Sequence, residues 1–317
     1  MADGTPERDA ESARRLESGS LPVVADDRLA QLRRTGAFTS QLATSEFATL
    51  RAAGFDPVGQ VMGTSVYRLG YIPYTCSYGF GLAYGAGGGR GGYRPGSTTS
   101  VHGYVQALHR ARELALGRLV DECRALGGDG VVGVTAVRLP FPGVSRTFEF
   151  SVTGTAVRAR GQVRPRHPFT SDLSGQDVAS LLRAGYVPTT LAYGISVGVR
   201  HDDWRTTRMS GAWAGNVEIP GYTELVNDVR HWARQDFTAA VALSGGENAV
   251  LRDTELEIWE QEPSDGHRDH FAIATLVGTG IARFTARPVP PPAPLTILRL
   301  DSRPSAARTA TTTRGHR

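Results

Sequence analysis

The chain has 317 residues, 40% hydrophobic and 21% charged, with a formal net charge of +4 and a pI of about 9.3. That length is enough for two domains with real cores, and no apolar run approaches the roughly 20 residues that cross a bilayer. Lysine is absent, so every strong base is an arginine, which excludes Schiff-base and pyridoxal-phosphate chemistry on lysine and any P-loop.

In chain order, residues 1–37 mix Asp, Glu and Arg without an apolar period; they are expected to be disordered and show no secretory core. A short helix is predicted near Ser45 to Ala53, stopped by Gly54, with a strand from about Pro57 to Leu69 after it. A Gly-rich insertion, about 78–99, reads as a surface loop. It contains Gly87-Gly88-Gly89-Arg90-Gly91-Gly92, formally a G-x-G-x-x-G. Arg94-Pro95-Gly96 follows it where a dinucleotide site needs a helix, so the segment reads as loop.

The next helix is predicted from about Gly103 to Ala125. Its apolar stripe is Val105, Leu108, Ala115, Leu116, Leu119 and Cys123, and Gly127-Gly128 ends it. Val131 to Val134 and the alternating Phe148-x-Phe150-x-Val152 read as strands. Residues 161–168 read as a linker. The succession then returns: helix from Gly175 to Ala184, helix from Tyr222 to Ser244, strands at Ala249 to Trp259 and Phe271 to Phe284. From Pro288 the chain becomes Pro-rich and then Ser/Thr/Ala/Arg-rich, so 287–317 is expected to be a disordered basic tail. No aromatics are interleaved with Arg303, Arg308, Arg314 and Arg317, which argues against nucleic-acid binding.

The return is a repeat of sequence as well. Phe38-Thr39-Ser40-x-Leu42 recurs as Phe169-Thr170-Ser171-x-Leu173, and Gly63-x-Ser65-Val66 as Gly194-x-Ser196-Val197. Arg112 matches Arg230, Gly127-Gly128 matches Gly245-Gly246, and Gly154-Thr155 matches Gly278-Thr279. The expected fold class is therefore α+β: two tandem copies of one small domain, 38–160 and a diverged 169–286, each a β-sheet packed by one long helix.

Candidate sites are few. Arg112 lies within the apolar stripe of its helix and needs a partner, for which Asp129 or a neighbouring subunit's acid is the expectation; the reading is a structural ion pair or an anion site, with Arg230 its counterpart. Gly127, Gly128, Gly154, Gly245, Gly246 and Gly278 read as structural. Cys76 and Cys123 cannot form a disulfide framework, and the composition predicts free thiols in a reduced cytoplasm, with Cys123 in the core. No C-x-x-C or H-x3-H occurs. His102 and His109 stand about 10 Å apart in helical rise, too far to share a metal. His267 and His270 read as a solvated polar loop. No G-x-S-x-G elbow and no recurring carboxylate pair appears, so neither a catalytic nor a metal site is assigned.

Ala111-Arg112-Glu113-x-Ala115, then Ala125 to Gly133, then Val152-x-Gly154-Thr155-Ala156-Val157 resemble the YbjQ-type family, whose label is heavy-metal binding. The second copy keeps Arg230, Gly245-Gly246 and Gly278-Thr279 but has Glu247-Asn248 where the first has Asp129-Gly130. The Gly-rich insertion departs from the family pattern. The resemblance implies a compact α+β domain that assembles into rings, five-fold by family expectation, and hence a homo-oligomer off the membrane. A metal cofactor is implied by the label alone, and the cofactor stays unknown. The expected function is a non-enzymatic oligomer binding a small ligand or metal. The alternatives are a purely structural or regulatory assembly protein and an enzyme of unknown reaction.

Overall fold

The computed structural model describes residues 6–36, 39–70, 96–264 and 267–284. Cys76, most of the Gly-rich insertion and the 287–317 tail lie outside the described residues. The chain opens with helices α1 (Pro6–Glu17) and α2 (Val23–Thr35). The first half follows as α3 (Thr44–Ala52), β1 (Phe55–Arg68), β2 (Thr98–Ser100), α4 (His102–Ala125), β3 (Gly130–Pro140) and β4 (Thr147–Ala159). The second half is β5 (Phe169–Thr170), α5 (Gly175–Arg183), β6 (Tyr186–His201), α6 (Trp204–Ser210), α7 (Pro220–Leu243), β7 (Asn248–Ser264) and β8 (His267–Arg283).

Two four-stranded sheets form, in the orders β1-β4-β3-β5 and β2-β6-β8-β7. Each half therefore places its last strand between its first long strand and the strand after its long helix, by antiparallel pairing. Register breaks fall at matching or adjacent points: after Pro57 and Pro188, and, one residue out of step, after Val132 and Leu251. The long helices are amphipathic for the same reason in both halves. Leu108, Ala111, Ala115, Leu119 and Cys123 of α4, and Leu225, Val229, Ala233, Phe237 and Val241 of α7, recur every three to four residues and are buried.

Each helix comes so close to its sheet that one strand residue must lack a side chain. A Cβ on Gly63 would lie 1.9 Å from the Ala115 carbonyl oxygen, and one on Gly194 would lie 2.1 Å from that of Ala233. Helix ends use glycine for a different reason: Gly127 and Gly245 hold φ of 71° and 76°, which L side chains avoid.

The two sheets are not independent. β2, from the first half, pairs antiparallel with β6 of the second, and β5, from the second half, pairs parallel with β3 of the first. The main core is shared. Leu108, Ala111 and Ala115 of α4 lie in one buried cluster with Val61 and Phe150 of the first sheet and Tyr193, Ile195, Val197 and Phe271 of the second.

The N-terminal segment departs from its composition, which predicted disorder over 1–37. Helices α1 and α2 form there because α2 finds a surface to cover: Leu29 is fully buried, and Arg28 pairs with the buried Glu122 of α4. Glu122 also accepts a hydrogen bond from the Met62 amide at 2.8 Å. A polar segment thus gains order from one leucine and one desolvated ion pair, which a composition average hides.

Gly63→Ala and Gly194→Ala should each destabilise the protein by about 1–3 kcal/mol or more, because the obstructing atoms are backbone. Gly117→Ala, inside α4 with nothing within 4 Å of its added Cβ, should instead stabilise by roughly 0.5–1 kcal/mol. Urea unfolding of the three variants checks both signs; a neutral Gly63→Ala would contradict the packing.

Candidate functional site

Where the two sheets meet, an open cleft of about 920 Å³ runs between β3 and β4 on one side and β7 and β8 on the other. Its lining includes Arg112 of α4, Tyr193 of β6 and Phe150 of β4. The Arg112 guanidinium carbon sits 5.2 Å from the centre of the Phe150 ring and 5.4 Å from that of Tyr193. These are cation–π contacts in a desolvated setting, where such contacts are strongest. Its one hydrogen bond among the described residues is long, 3.5 Å to the Leu108 carbonyl of its own helix. Burial above all, with Arg138 adding to it and Tyr193, Glu255 and Glu257 opposing, lowers the guanidinium pKa to about 10. Burial likewise pushes the Tyr193 phenol up to about 12. The Tyr193 hydroxyl has no hydrogen-bond partner among the described residues.

The mouth of the cleft has mixed charge. Arg138 pairs with Glu257, which joins the two halves. Arg252 donates to the Asp172 carbonyl at 3.2 Å. Asp172 is buried, which raises its pKa, and its carboxyl accepts from the Thr279 hydroxyl. Asp253 and Glu255 add acid to the same wall. Chemically, the cleft offers a donor pair, guanidinium and phenol, next to an acid-rich rim.

The sequence expectation for Arg112 needs correcting. Asp129 is not its partner: that carboxylate is buried at the other end of the helix, where it binds Arg164 at 2.6 Å and the Ala159 amide at 2.8 Å. Among the described residues Arg112 makes no ion pair. Its aromatic neighbours come from β4 and from the other half's β6, so helix periodicity could not name them. Arg230 is exposed, and the structure does not bring it to Arg112. The remaining flagged glycines are close-approach positions. A Cβ on Gly128, Gly154, Gly246 or Gly278 would lie 2.4–2.7 Å from Cys123, Val131, Val241 or Val250. Cys123 is buried, and desolvation raises its thiol to about 12.

A second polar cluster went unread. His267 and His270 were expected in a solvated loop, but both lie in β8, and His270 is largely buried. Its Nδ1 is 3.2 Å from Asp202, its ring lies tilted against that of Tyr222 with centres 4.3 Å apart, and the Tyr222 hydroxyl donates to Asp202 at 2.9 Å. Alongside, the buried His201 Nδ1 and Asp269 are 2.7 Å apart. The signal available was the pairing of two polar dipeptides, His201-Asp202 and Asp269-His270, at facing strand ends. Among the described residues no three His, Cys, Asp or Glu side chains come together as a metal-binding group, and no helix is long and apolar enough to cross a membrane.

The fold and the sequence comparisons define an α+β protein with a YbjQ-type domain: residues 96–160 match the YbjQ family model, described as "Putative heavy-metal-binding". A UPF0145 protein of Helicobacter hepaticus is 38% identical over 58 residues, which span 18% of this chain and 54% of that protein. The encapsulin nanocompartment protein Rv1762c of Mycobacterium tuberculosis is 34% identical over 243 residues, 74% of this chain and 83% of the relative. The chain belongs to the family of this mycobacterial protein.

Because the folded state holds the Arg112 pKa below its unfolded value, the charged guanidinium opposes folding at every pH below about 10. That cost fades only as pH rises from there toward 12.5. Arg112→Met, in protein free of added ligand, should therefore raise the thermal midpoint, equally at pH 6 and pH 9. A fall of several degrees would show that the contacts with the Phe150 and Tyr193 rings outweigh the cost of desolvation.

Proposed function

We propose that the protein is a non-enzymatic, self-assembling component of a cytoplasmic protein nanocompartment, built from two tandem copies of one YbjQ-type domain, with a small-ligand site in the cleft between them. The mycobacterial relative's name supports the assembly role. The matching strand orders, register breaks and strand glycines of the two halves support the duplication.

The observation that carries the ligand reading is the cleft floor. A buried guanidinium costs several kcal/mol unless something compensates it, and here two rings and one long hydrogen bond do so incompletely. The unpartnered Tyr193 hydroxyl points to the same missing group: an acceptor oxygen, carboxylate or phosphoryl, on a small molecule whose other end meets the acidic rim. The same stacking on Phe150 and Tyr193 supports a second reading, in which Arg112 only cements the two halves.

A thermal-shift series with inorganic phosphate and small carboxylates, amino acids among them, separates the readings. Ligand binding predicts a concentration-dependent rise in midpoint for the wild type that Arg112→Met abolishes and Tyr193→Phe reduces. A rise that is identical in all three proteins, or absent from all, assigns Arg112 to cementing alone. Stoichiometric zinc retained through dialysis would return the metal reading.

A further inference from the structure

The seam inside the chain has two donors and two receivers. Thr98–Ser100 adds a strand to the outer edge of β6, and the Val101 amide extends it with a 2.9 Å bond to the Val197 carbonyl. Phe169–Thr170 lies along the outer edge of β3, extended by the Ser171 amide to the Val131 carbonyl at 2.9 Å.

The same parts recur at the two ends of the molecule without counterparts. Ile219 caps α7 as Val101 caps α4. The residues before it, Asn216-Val217-Glu218, are exposed and belong to no strand. Thr39–Leu42 grips its own half as Thr170–Leu173 does. The Gln41 amide donates to Thr155 at 3.0 Å, as that of Asp172 does to Thr279 at 3.2 Å. The Leu42 amide donates to Ser40 at 3.3 Å, as that of Leu173 does to Ser171 at 3.1 Å. In the second half the outer side of this segment lies on β3; in the first half it meets no strand among the described residues.

Among the described residues no strand pairs with the outer edge of β1 or of β7, which end their sheets, although Glu122 takes the Met62 amide of β1. Apolar side chains are exposed there at the positions the seam covers. Val66 is 51% exposed where its match Val197 is 0%, Met62 is 41% where Tyr193 is 7%, and Val250 is 37% where Val132 is 0%. Arg230 is exposed where Arg112 is half-buried.

We infer that a second copy of this chain docks head to tail across these ends and repeats the internal seam. Residues 216–218 of one chain add an antiparallel strand to β1 of the next, with Val217 opposite Arg68. Thr39–Leu42 of that next chain runs parallel along β7 of the first, with Thr39 opposite Ala249. The occupant is a second copy because the register already exists inside the chain, and each free donor matches a free receiver at the other end. Such a contact is heterologous, so it propagates until it closes. It gives β-edge addition on both sides of one interface and covers two edges that would otherwise invite promiscuous pairing. The inference rests on reading the halves as copies and the protein as self-assembling.

Disulfide trapping tests it in a Cys76→Ser background, where the remaining thiol, Cys123, is buried. Two matched pairs are built separately, Val217→Cys with Arg68→Cys and Thr39→Cys with Ala249→Cys. Thr99→Cys with Val199→Cys is the control within one chain, and Thr39→Cys with Val217→Cys is the mismatched control. The expected result is a reducible ladder of chain multiples from each matched pair, a monomeric cross-link from the first control and no ladder from the mismatch. Native mass is measured on the same samples before oxidation. A multimer without ladders overturns the docking edges while leaving self-assembly standing; a monomeric wild type overturns both. Circular dichroism confirms folding of each variant, and if one matched pair fails to fold, the other decides.

Discussion

Helix α4 has to cover apolar surface on two sides. Leu108, Ala111 and Ala115 form part of one buried cluster that draws on β1 and β4 of the first sheet and on β6 and β8 of the second. A helix with a single sheet needs only one stripe. A helix wedged between two sheets ties their positions together, and the rest of the architecture follows from that wedge. With α4 against β6, the residues just before the helix arrive at the β6 edge, where Thr98–Ser100 can pair. With β6 fixed, the chain entering the second half passes the β3 edge, where Phe169–Thr170 can pair. Neither three nor two residues of strand would hold alone; they persist because the core beneath them has already set the register.

The same wedge creates the cleft. Two twisted sheets fixed along one helix diverge away from it, and the gap between them has α4 at its floor. Arg112 and Ala115 are the residues of α4 that line the gap. Arg230, which matches Arg112 in sequence and lies on α7, is exposed, because among the described residues no second sheet closes over α7. One residue type at matched positions thus acquires two chemistries: a desolvated guanidinium between aromatic rings, and a solvated one.

Much of the scaffold was legible in the sequence. The α4 stripe and the Gly127 stop placed the helix to within a residue, since both follow from local rules of periodicity and left-handed backbone. The alternation at Phe148-x-Phe150-x-Val152 located β4, although its ladder runs on from Thr147 to Ala159. What escaped was non-local. The pairing of Thr98–Ser100 depends on a strand about a hundred residues away. α2 is ordered by one leucine and one arginine meeting Glu122. The Arg112 site is built by Phe150 and Tyr193, each from a different sheet. His270 looked like part of a loop because polar strand ends carry the same residue types as turns, and its neighbour His201 lies on a strand about seventy residues away.

The α4 seam should make the two halves one cooperative body. All four tryptophans, at positions 204, 213, 232 and 259, lie in the second half, so tryptophan fluorescence reports that half alone, whereas far-ultraviolet circular dichroism reports both. Leu119→Ala, in the first half's helix, should remove about 2–5 kcal/mol from the core. Denaturant midpoints by fluorescence and by circular dichroism should coincide in the wild type and shift down together in the variant. A fluorescence midpoint that stays in place while the dichroism curve splits into two steps would show that the halves unfold independently, and would contradict that coupling.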